Sequence, residues 1–193
     1  MTERLTTSQS KRYSAFSQSK RIIQIRKFYY TWSVSVTPGQ EPKKKMETNI
    51  LALDVATKTG WCTKTAYGTW DFSLKRDESA GMRLVRFKAK LREICALEEI
   101  NLITFELSQG FHQNAVIVQS ELHGVLKLFC EENKINYRSF APSEIKKFAT
   151  GKGNANKDAM VQAAVNRYGY FGNDDNTADA MHIYHLTRQS LGL

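Results

Sequence analysis

The sequence predicts a mixed α/β layer fold, in which helices cover both faces of a five-stranded sheet. Short apolar runs bounded by turn-forming residues indicate strands. Longer segments with an apolar residue at every third or fourth position indicate helices. Three strands come first, and a helix, a strand, a helix, a strand and further helices follow, which is an order typical of mixed α/β layers.

Five segments are predicted to form strands. The first is a continuous apolar run that ends at Asp54, as expected for a strand buried on both faces. The next two follow it closely and so favour a meander. The predicted strands occupy residues 49–55, 60–64, 68–72, 102–106 and 135–140.

Five further segments are predicted to form helices. In the first of them, Leu84, Phe87 and Leu91 share one stripe, as in a helix with one buried side. Pro142 introduces the third helix, as proline near a helix start often does. The predicted helices occupy residues 80–97, 113–133, 142–148, 157–167 and 176–189.

The basic residues are concentrated at the start of the chain. The 193 residues carry a net charge of +9, and residues 1–45 hold ten Lys/Arg and two Glu, which accounts for +8 of it. We interpret residues 1–47 as a basic arm and 48–193 as the folded domain. Three interpretations of the arm stay open: a segment that binds DNA phosphates, an organelle transit peptide, and a segment outside a native protein that starts at Met46.

The composition argues against several classes of protein. No apolar run approaches the roughly 20 residues that span a bilayer, so we expect no membrane partner. Cys62, Cys95 and Cys130 are far apart and form no Cys-x-x-Cys motif, which disfavours a disulfide framework or a zinc site. We therefore expect a reducing, cytoplasmic location (that of a bacterial host if a phage encodes the protein), while organelle targeting by the arm stays open.

Acidic residues at strand ends and in the last helix are the most informative feature. Asp54 closes the first strand and Glu106 the fourth, while Asp175 and Asp179 are four apart and share a helical face. Sites in open α/β sheets form beyond strand ends. Carboxylates that converge there repel one another unless metal ions neutralise them, and oxygen ligands favour Mg²⁺ or Mn²⁺. Two such ions can activate water against a phosphodiester.

Each acid also has an ordinary structural explanation. Asp54 and Glu106 could serve as turn residues at strand ends. Asp175 could be a helix N-cap and Asp179 a solvated helix residue. The order of all four acids along the chain, together with the sequence around them, favours a metal site.

Four stretches carry a resemblance to a known family. ILALDVATKTGW holds a strand that ends in Asp and a Thr-Gly pair, and ITFELSQG holds a strand that ends in Glu. APSEIKKFATGKGNANKDAM carries lysines, and DDNTADAMHI begins the terminal helix. In this order they resemble the RuvC family of Holliday junction resolvases, above all its shorter phage-encoded members. The resemblance covers about residues 49–186 and implies a ribonuclease H-like fold.

The resemblance also implies a metal site. Asp54, Glu106 and Asp179 take the positions of the family's metal-binding acids, which would hold two Mg²⁺ ions, with Mn²⁺ as an alternative. Family members often place a fourth acid three residues before the last one, where this chain has Asn176. We expect Asp175 to be the fourth ligand, because it offers the same helical face, with Asp174 or Asn176 as alternatives.

Basic residues are the expected DNA contacts. Lys146 and Lys157 match family lysines near the scissile phosphate, where each would act in catalysis by stabilising negative charge. The alternative for any single lysine is a solvated helix face. Lys152 is expected to contact a backbone phosphate, and Arg83 and Arg86 in the first helix are further candidates.

Two more features follow from the resemblance. Phe111, in the loop after Glu106, is expected to stack at the junction centre, with ordinary packing as the alternative. The helix at 113–133 is expected to form a homodimer, and Gly124 would permit a close helix crossing. A buried helix within one domain explains the same pattern.

We therefore expect a metal-dependent endonuclease that cuts four-way DNA junctions and leaves 5′-phosphate and 3′-hydroxyl ends, in DNA recombination, repair or phage DNA processing. A junction has two symmetry-related scissile strands, which suits a C2 homodimer. One alternative is a nuclease of the same fold that acts on forks, flaps or RNA–DNA hybrids. Another is a protein that binds junctions without cleaving them, although the presence of all four acidic positions argues against it.

Overall fold

The computed structural model describes residues 47–107 and 113–193, so residues 1–46 of the predicted arm and Phe111 lie outside this description. Within the described part, no helix is long and apolar enough to cross a membrane. The strands are β1 Ile50–Asp54, β2 Lys58–Cys62, β3 Tyr67–Asp71, β4 Leu102–Glu106 and β5 Asn136–Phe140. The helices are α1 Gly81–Glu98, α2 Gln113–Asn133, α3 Pro142–Thr150, α4 Lys157–Tyr168 and α5 Asp175–Ser190.

The five strands form one mixed sheet in the order β3-β2-β1-β4-β5. β2 runs antiparallel to β1 and β3, while β1, β4 and β5 are parallel. In the register of β1 and β4, Leu53 is paired with Phe105. The next residue of each strand is an acid, so the sheet brings Asp54 and Glu106 to the same edge.

Helices cover both faces of the sheet, as predicted. Side chains of β1 alternate between the two faces, because successive residues of a strand point in opposite directions. Leu51 and Leu53 join the buried cluster formed with α1 and α2. Ile50 and Ala52 join the cluster formed with α3, α4 and α5. β1 is therefore buried on both sides, which accounts for its uninterrupted apolar sequence.

The second strand begins two residues earlier than predicted, at Lys58 rather than Gly60. The reason is local turn chemistry. The Thr59 hydroxyl donates a hydrogen bond to the Ala56 carbonyl at 2.6 Å and accepts one from the Ala56 N–H at 3.3 Å. These bonds close a short hairpin, and Gly60 then pairs with Asp54.

The start of α5 lies directly on β2. A Cβ atom at Gly60 would lie 1.8 Å from the carbonyl oxygen of Asn176 and 2.9 Å from the backbone nitrogen of Thr177. No side chain fits in that space, so glycine is required for this backbone-to-backbone approach. Gly60 thus sets the distance between the sheet and the helix turn that carries Asp175.

The far half of α5 is held over β4. Thr187 of α5 and Thr104 of β4 are both buried, and their hydroxyl oxygens are hydrogen-bonded at 2.9 Å. The Thr187 hydroxyl also bonds to the Ile183 carbonyl at 2.7 Å. Since buried polar groups are costly without partners, this pair favours one position of the helix along the sheet.

We expect Gly60→Ala to destabilise the fold by about 3 kcal/mol or more, because the added methyl forces α5 away from β2. Denaturant unfolding measures the free energy. Gly81→Ala is the matched control: its Cβ would lie 3.9 Å from the Ser79 hydroxyl oxygen, an ordinary contact. Equal unfolding free energies for the two variants would contradict the assigned role of Gly60.

Candidate active site

Four acidic side chains meet at the edge of the sheet where β1 and β4 end. Burial raises the pKa of Asp54 well above its usual range, and the charge of Asp179 adds to this effect. Glu106 and Asp175 raise the pKa of Asp54 further. These electrostatic effects require proximity, so the strand-end acids and the two acids of α5 lie near one another.

The other acids are perturbed for the same reasons. Burial raises the pKa of Asp179 to about 7, and the charges of Glu106 and Asp175 act in the same direction. Burial also raises the pKa of Glu106. Lys146 opposes both shifts, and Lys157 opposes that of Asp179. The site is therefore a partly desolvated concentration of negative charge with two lysines beside it.

The acids fit a hard divalent cation. The donors are carboxylate oxygens, and Asp179 Oδ1 is buried with no hydrogen-bond partner among the described residues. A buried carboxylate oxygen without a donor is costly, and a cation would satisfy it. Across residues 47–107 and 113–193, however, no three His, Cys, Asp or Glu side chains are already grouped as ligands of one ion. The donors therefore lie near one another without being grouped as a closed coordination shell.

Asp174, rather than Asp175, is the N-cap of α5. Its carboxylate accepts hydrogen bonds from the backbone N–H of Thr177 at 3.0 Å and from the Thr177 hydroxyl at 2.7 Å. The Asn176 amide, at 3.0 Å, and the Thr69 hydroxyl are its other donors. Burial acts to raise the pKa of Asp174, but these hydrogen bonds outweigh it and lower the pKa to about 2.

This capping network distinguishes the candidates for the fourth ligand. The Asp174 carboxylate already accepts four hydrogen bonds, three at Oδ2 and one at Oδ1. The Asn176 amide is directed to Asp174. Of the three, Asp175 alone also shares the electrostatic interactions of Asp54 and Asp179. Asp175 therefore stays the predicted fourth ligand, while Asp174 is engaged as the helix cap.

Two of the three predicted lysines lie at the acids. The Lys157 ammonium forms an ion pair with Asp175, and its side chain is 82% exposed. Lys146, half-buried on α3, acts electrostatically on Glu106 and Asp179. Lys152 is exposed in the loop between α3 and α4, where its backbone N–H donates to the Thr150 hydroxyl at 3.2 Å. Two lysines thus flank the acids, and Lys152 adds one positive charge in the α3–α4 loop.

The two predicted arginines hold α1 to the segment after β3. Arg83 Nε donates to the Phe72 carbonyl at 3.2 Å, and Arg86 donates to the Ser73 carbonyl at 3.1 Å. Arg86 also forms an ion pair with Glu78. Contacts of these guanidinium groups with DNA therefore stay a prediction, and such contacts would compete with internal bonds.

His123 of α2 supports the end of β4 and was missed by the sequence reasoning. Its ring is buried, with its centroid 4.9 Å from that of Phe105. Burial and then the charge of Lys127 lower the pKa of His123 to about 4, and a hydrogen bond with the Glu106 backbone opposes them. A neutral histidine thus braces the residue next to the active carboxyl. A lone histidine in an apolar helical stripe carries no sequence signal for that role.

His182, close to Asp179 in α5, is a packing residue. It is buried, and its ring nitrogens are hydrogen-bonded to the Met160 carbonyl at 2.9 Å and the Tyr168 hydroxyl at 3.2 Å. Burial lowers its pKa. Both ring nitrogens of His182 are therefore used inside the fold.

Comparisons with known proteins point to one family. The sequence model described as "Crossover junction endodeoxyribonuclease RuvC" matches residues 70–184. A curated relative, the crossover junction endodeoxyribonuclease RuvC of Brachyspira hyodysenteriae, is 37% identical over 78 residues, which are 40% of this chain and 49% of the relative. The match therefore spans about half the length of that relative.

Solved structures share the fold. The structure of Thermus thermophilus RuvC has a TM-score of 0.61 at 17% identity and covers 75% of this chain and 97% of its own. T. thermophilus RuvC in complex with a Holliday junction substrate has a TM-score of 0.61 at 17% identity, with coverages of 76% and 95%. This likeness of fold confirms the predicted ribonuclease H-like sheet.

The family match extends over more than half of the chain. It includes Glu106, Asp175 and Asp179, together with the lysines beside them. Asp54 precedes the match by 16 residues and lies on β1, the strand paired with β4. The chain belongs to the RuvC family of crossover junction endodeoxyribonucleases.

Proposed function

We propose that this protein is an endonuclease that resolves four-way (Holliday) DNA junctions by hydrolysing phosphodiester bonds. One observation carries the proposal: in a chain of the RuvC family, Asp54 lies at one sheet edge near Glu106, Asp175 and Asp179. Burial, together with the charges of these three acids, raises the pKa of Asp54. The T. thermophilus relative bound to a junction substrate supports the choice of DNA. The expected products carry a 5′-phosphate and a 3′-hydroxyl.

The acids form the metal site in this proposal. Membership of the RuvC family implies dependence on a divalent metal. We assign Asp54, Glu106, Asp175 and Asp179 as the residues that hold two Mg²⁺ ions, which Mn²⁺ can replace. When bound, the ions neutralise the carboxylates, activate water and stabilise the leaving oxygen.

Three lysines of the chain supply positive charge near the DNA phosphates in this proposal. Lys157 pairs with Asp175, and its exposed, flexible stem can carry the ammonium to a phosphate instead. Lys146, near Glu106 and Asp179, is placed to stabilise negative charge that develops on the phosphate. Lys152, on the α3–α4 loop, is assigned to a neighbouring backbone phosphate.

A homodimer through α2 completes the proposal. Ile117 and Leu128 are 50% and 55% exposed, and they share one face of α2 with Glu121 and Gly124. Nothing lies within 4 Å of a Cβ placed on Gly124, so this face is open to a partner helix. A two-fold axis would place the same face of each copy together and present two sites to the two scissile strands.

We expect Asp54→Asn to reduce junction cleavage by at least about 100-fold while leaving junction binding intact, because the amide removes a ligand charge without changing shape. Cleavage of a labelled four-way junction in Mg²⁺ and binding by fluorescence anisotropy are the measurements. Asp77→Asn is the matched control, because Asp77 is exposed and has a φ of 69°, which asparagine tolerates.

Two results would contradict this assignment. Unchanged cleavage by Asp54→Asn would show that the site is misplaced. Faster cutting by the wild type of a replication fork or a linear duplex than of the four-way junction would show that the substrate is wrong.

The metal-free protein should lose stability as the pH rises from about 4 to about 7. The pKa of Asp179 is about 7 in the folded protein, against an ordinary value of 3.8, so the folded state binds more protons in this window. Stability therefore falls as these protons leave. Mg²⁺ should offset the loss and raise Tm by roughly 5 °C more at pH 7.5 than at pH 5. Differential scanning calorimetry measures both effects.

Asp179→Asn should flatten this pH dependence and remove most of the Mg²⁺ effect, while Asp77→Asn should leave both as in the wild type. If the Tm measured without metal rises between pH 4 and pH 7 in the wild type but not in Asp179→Asn, the raised pKa of Asp179 is contradicted.

We expect Leu128→Asp to convert the dimer into a monomer. At a two-fold contact the new carboxylates of the two copies lie close together and repel each other. Sedimentation equilibrium measures the mass. Leu97→Asp is the matched control, since Leu97 is 79% exposed and lies on α1. A wild-type protein that is monomeric at micromolar concentration, or a Leu128→Asp variant that stays dimeric, would contradict the assignment of α2.

A further inference from the structure

Phe171, in the loop between α4 and α5, is 96% exposed, although its neighbour Tyr170 is only 5% exposed. A single exposed apolar residue is common on protein surfaces and by itself indicates nothing. Two features distinguish Phe171. The loop around it is held by specific contacts, and the loop leads directly into the acids of the active site.

The loop is anchored through Tyr170. The Tyr170 hydroxyl accepts a hydrogen bond from the Asp174 N–H at 3.1 Å and donates one to the Asp174 carbonyl at 3.2 Å. Its ring packs edge-on against Tyr67, with the centroids 5.7 Å apart. Because Tyr170 is fixed inward on both its ring and its hydroxyl, the next side chain, Phe171, is directed outward.

Glycines on both sides support the same path. Gly169 ends α4 with a φ of 68°, in the left-handed region that favours glycine. A Cβ at Gly172 would lie 2.3 Å from the Tyr170 hydroxyl oxygen, so this position accepts no side chain without displacing the tyrosine. The exposure of Phe171 therefore follows from a constrained loop.

The position of Phe171 relative to the acids is limited by the chain. Phe171 precedes Asp175 by four residues, which span at most about 14 Å. That distance corresponds to about four stacked base steps at about 3.4 Å each. Phe171 therefore lies no farther from Asp175 than about four base steps along a DNA strand.

The chemistry of Phe171 selects what it can bind there. A phenyl ring has no charge and no hydrogen-bond donor, so it adds little to phosphate binding. It can stack on the flat face of a base, which every nucleobase offers. In an intact duplex these faces are covered by neighbouring base pairs, whereas a branch point can leave them accessible.

We propose that Phe171 stacks on a base that the branch point leaves unpaired, on the DNA strand held at the acids of the same subunit. The inference rests on the proposed function and names a contact of that site with its substrate. It makes Phe171 a specificity residue for branched over linear DNA. It differs from the expectation for Phe111, which lies in the loop after β4.

The test compares Phe171→Ala and Phe171→Trp with the wild type, in the full chain and in the absence of divalent metal. Anisotropy measures Kd for a four-way junction and for a linear duplex of the same length and sequence. We expect Phe171→Ala to raise the junction Kd by about tenfold, within the 5- to 150-fold range of base–aromatic stacking, and to leave the duplex Kd unchanged. Phe171→Trp should bind the junction as tightly as the wild type.

A second readout reports on the base directly. 2-Aminopurine placed at each of the four positions flanking the branch should be quenched by the wild type at one or more of them, and that quenching should be lost in Phe171→Ala. Leu97→Ala is the control: it removes an exposed apolar side chain from the end of α1 that leads into the start of β4, away from the acids. Because Phe171 is exposed, thermal unfolding of Phe171→Ala should match the wild type.

The outcomes separate this inference from the proposed function. Junction cleavage by the wild type, with equal junction affinity and equal quenching in Phe171→Ala, overturns the inference and leaves the function standing. An equal loss of affinity for junction and duplex overturns the specificity role. A wild type that neither cleaves nor prefers the junction overturns both.

Discussion

The backbone contact between β2 and the first turn of α5 is the constraint on which the site depends. A glycine at position 60 lets the carbonyl of Asn176 approach the strand more closely than any side chain would permit. Because Gly60 is paired with Asp54 in the hairpin, the same residue sets the helix beside the strand-end acid. The Asp174 cap and its bond to Thr69 of β3 then orient the turn that carries Asp175. The contact at Gly60 and the Asp174 cap together therefore determine where the acids of α5 lie.

That arrangement concentrates charge that the fold alone does not neutralise. Asp54, Glu106 and Asp179 all have raised pKa values, and burial is the first cause for each. The hydrogen-bond donors nearby serve Asp174 instead, whose pKa is lowered to about 2. Aspartates of the same segment therefore have different roles: Asp174 caps the helix, whereas Asp179 Oδ1 has no hydrogen-bond partner among the described residues. Buried carboxyl groups that lower stability in this way are typical of residues retained for function.

Local patterns predicted most of the architecture. The bounds of β4 and α2 agree with prediction because a compact apolar run and a long helical stripe have clear ends. The predicted start of β2 was two residues too late, because the Thr59 side chain closes the hairpin with hydrogen bonds that periodicity does not reveal. α3 continues past the predicted end to Thr150 and stops at Gly151, which has a φ of 81°. Errors therefore arose where side-chain hydrogen bonds or caps set the boundary.

The sequence by itself determined the order of the elements, the acids at the ends of β1 and β4, and the resemblance that named the family, because these depend on local spacing and motif order. Only the tertiary structure showed that Asp174 is engaged in the helix cap, since one of its bonds comes from Thr69, more than one hundred residues away. Likewise, only the fold showed that His123 braces β4 and that Phe171 is directed outward. Contacts between distant segments have no signature in either segment alone, and they place the functional groups of this protein.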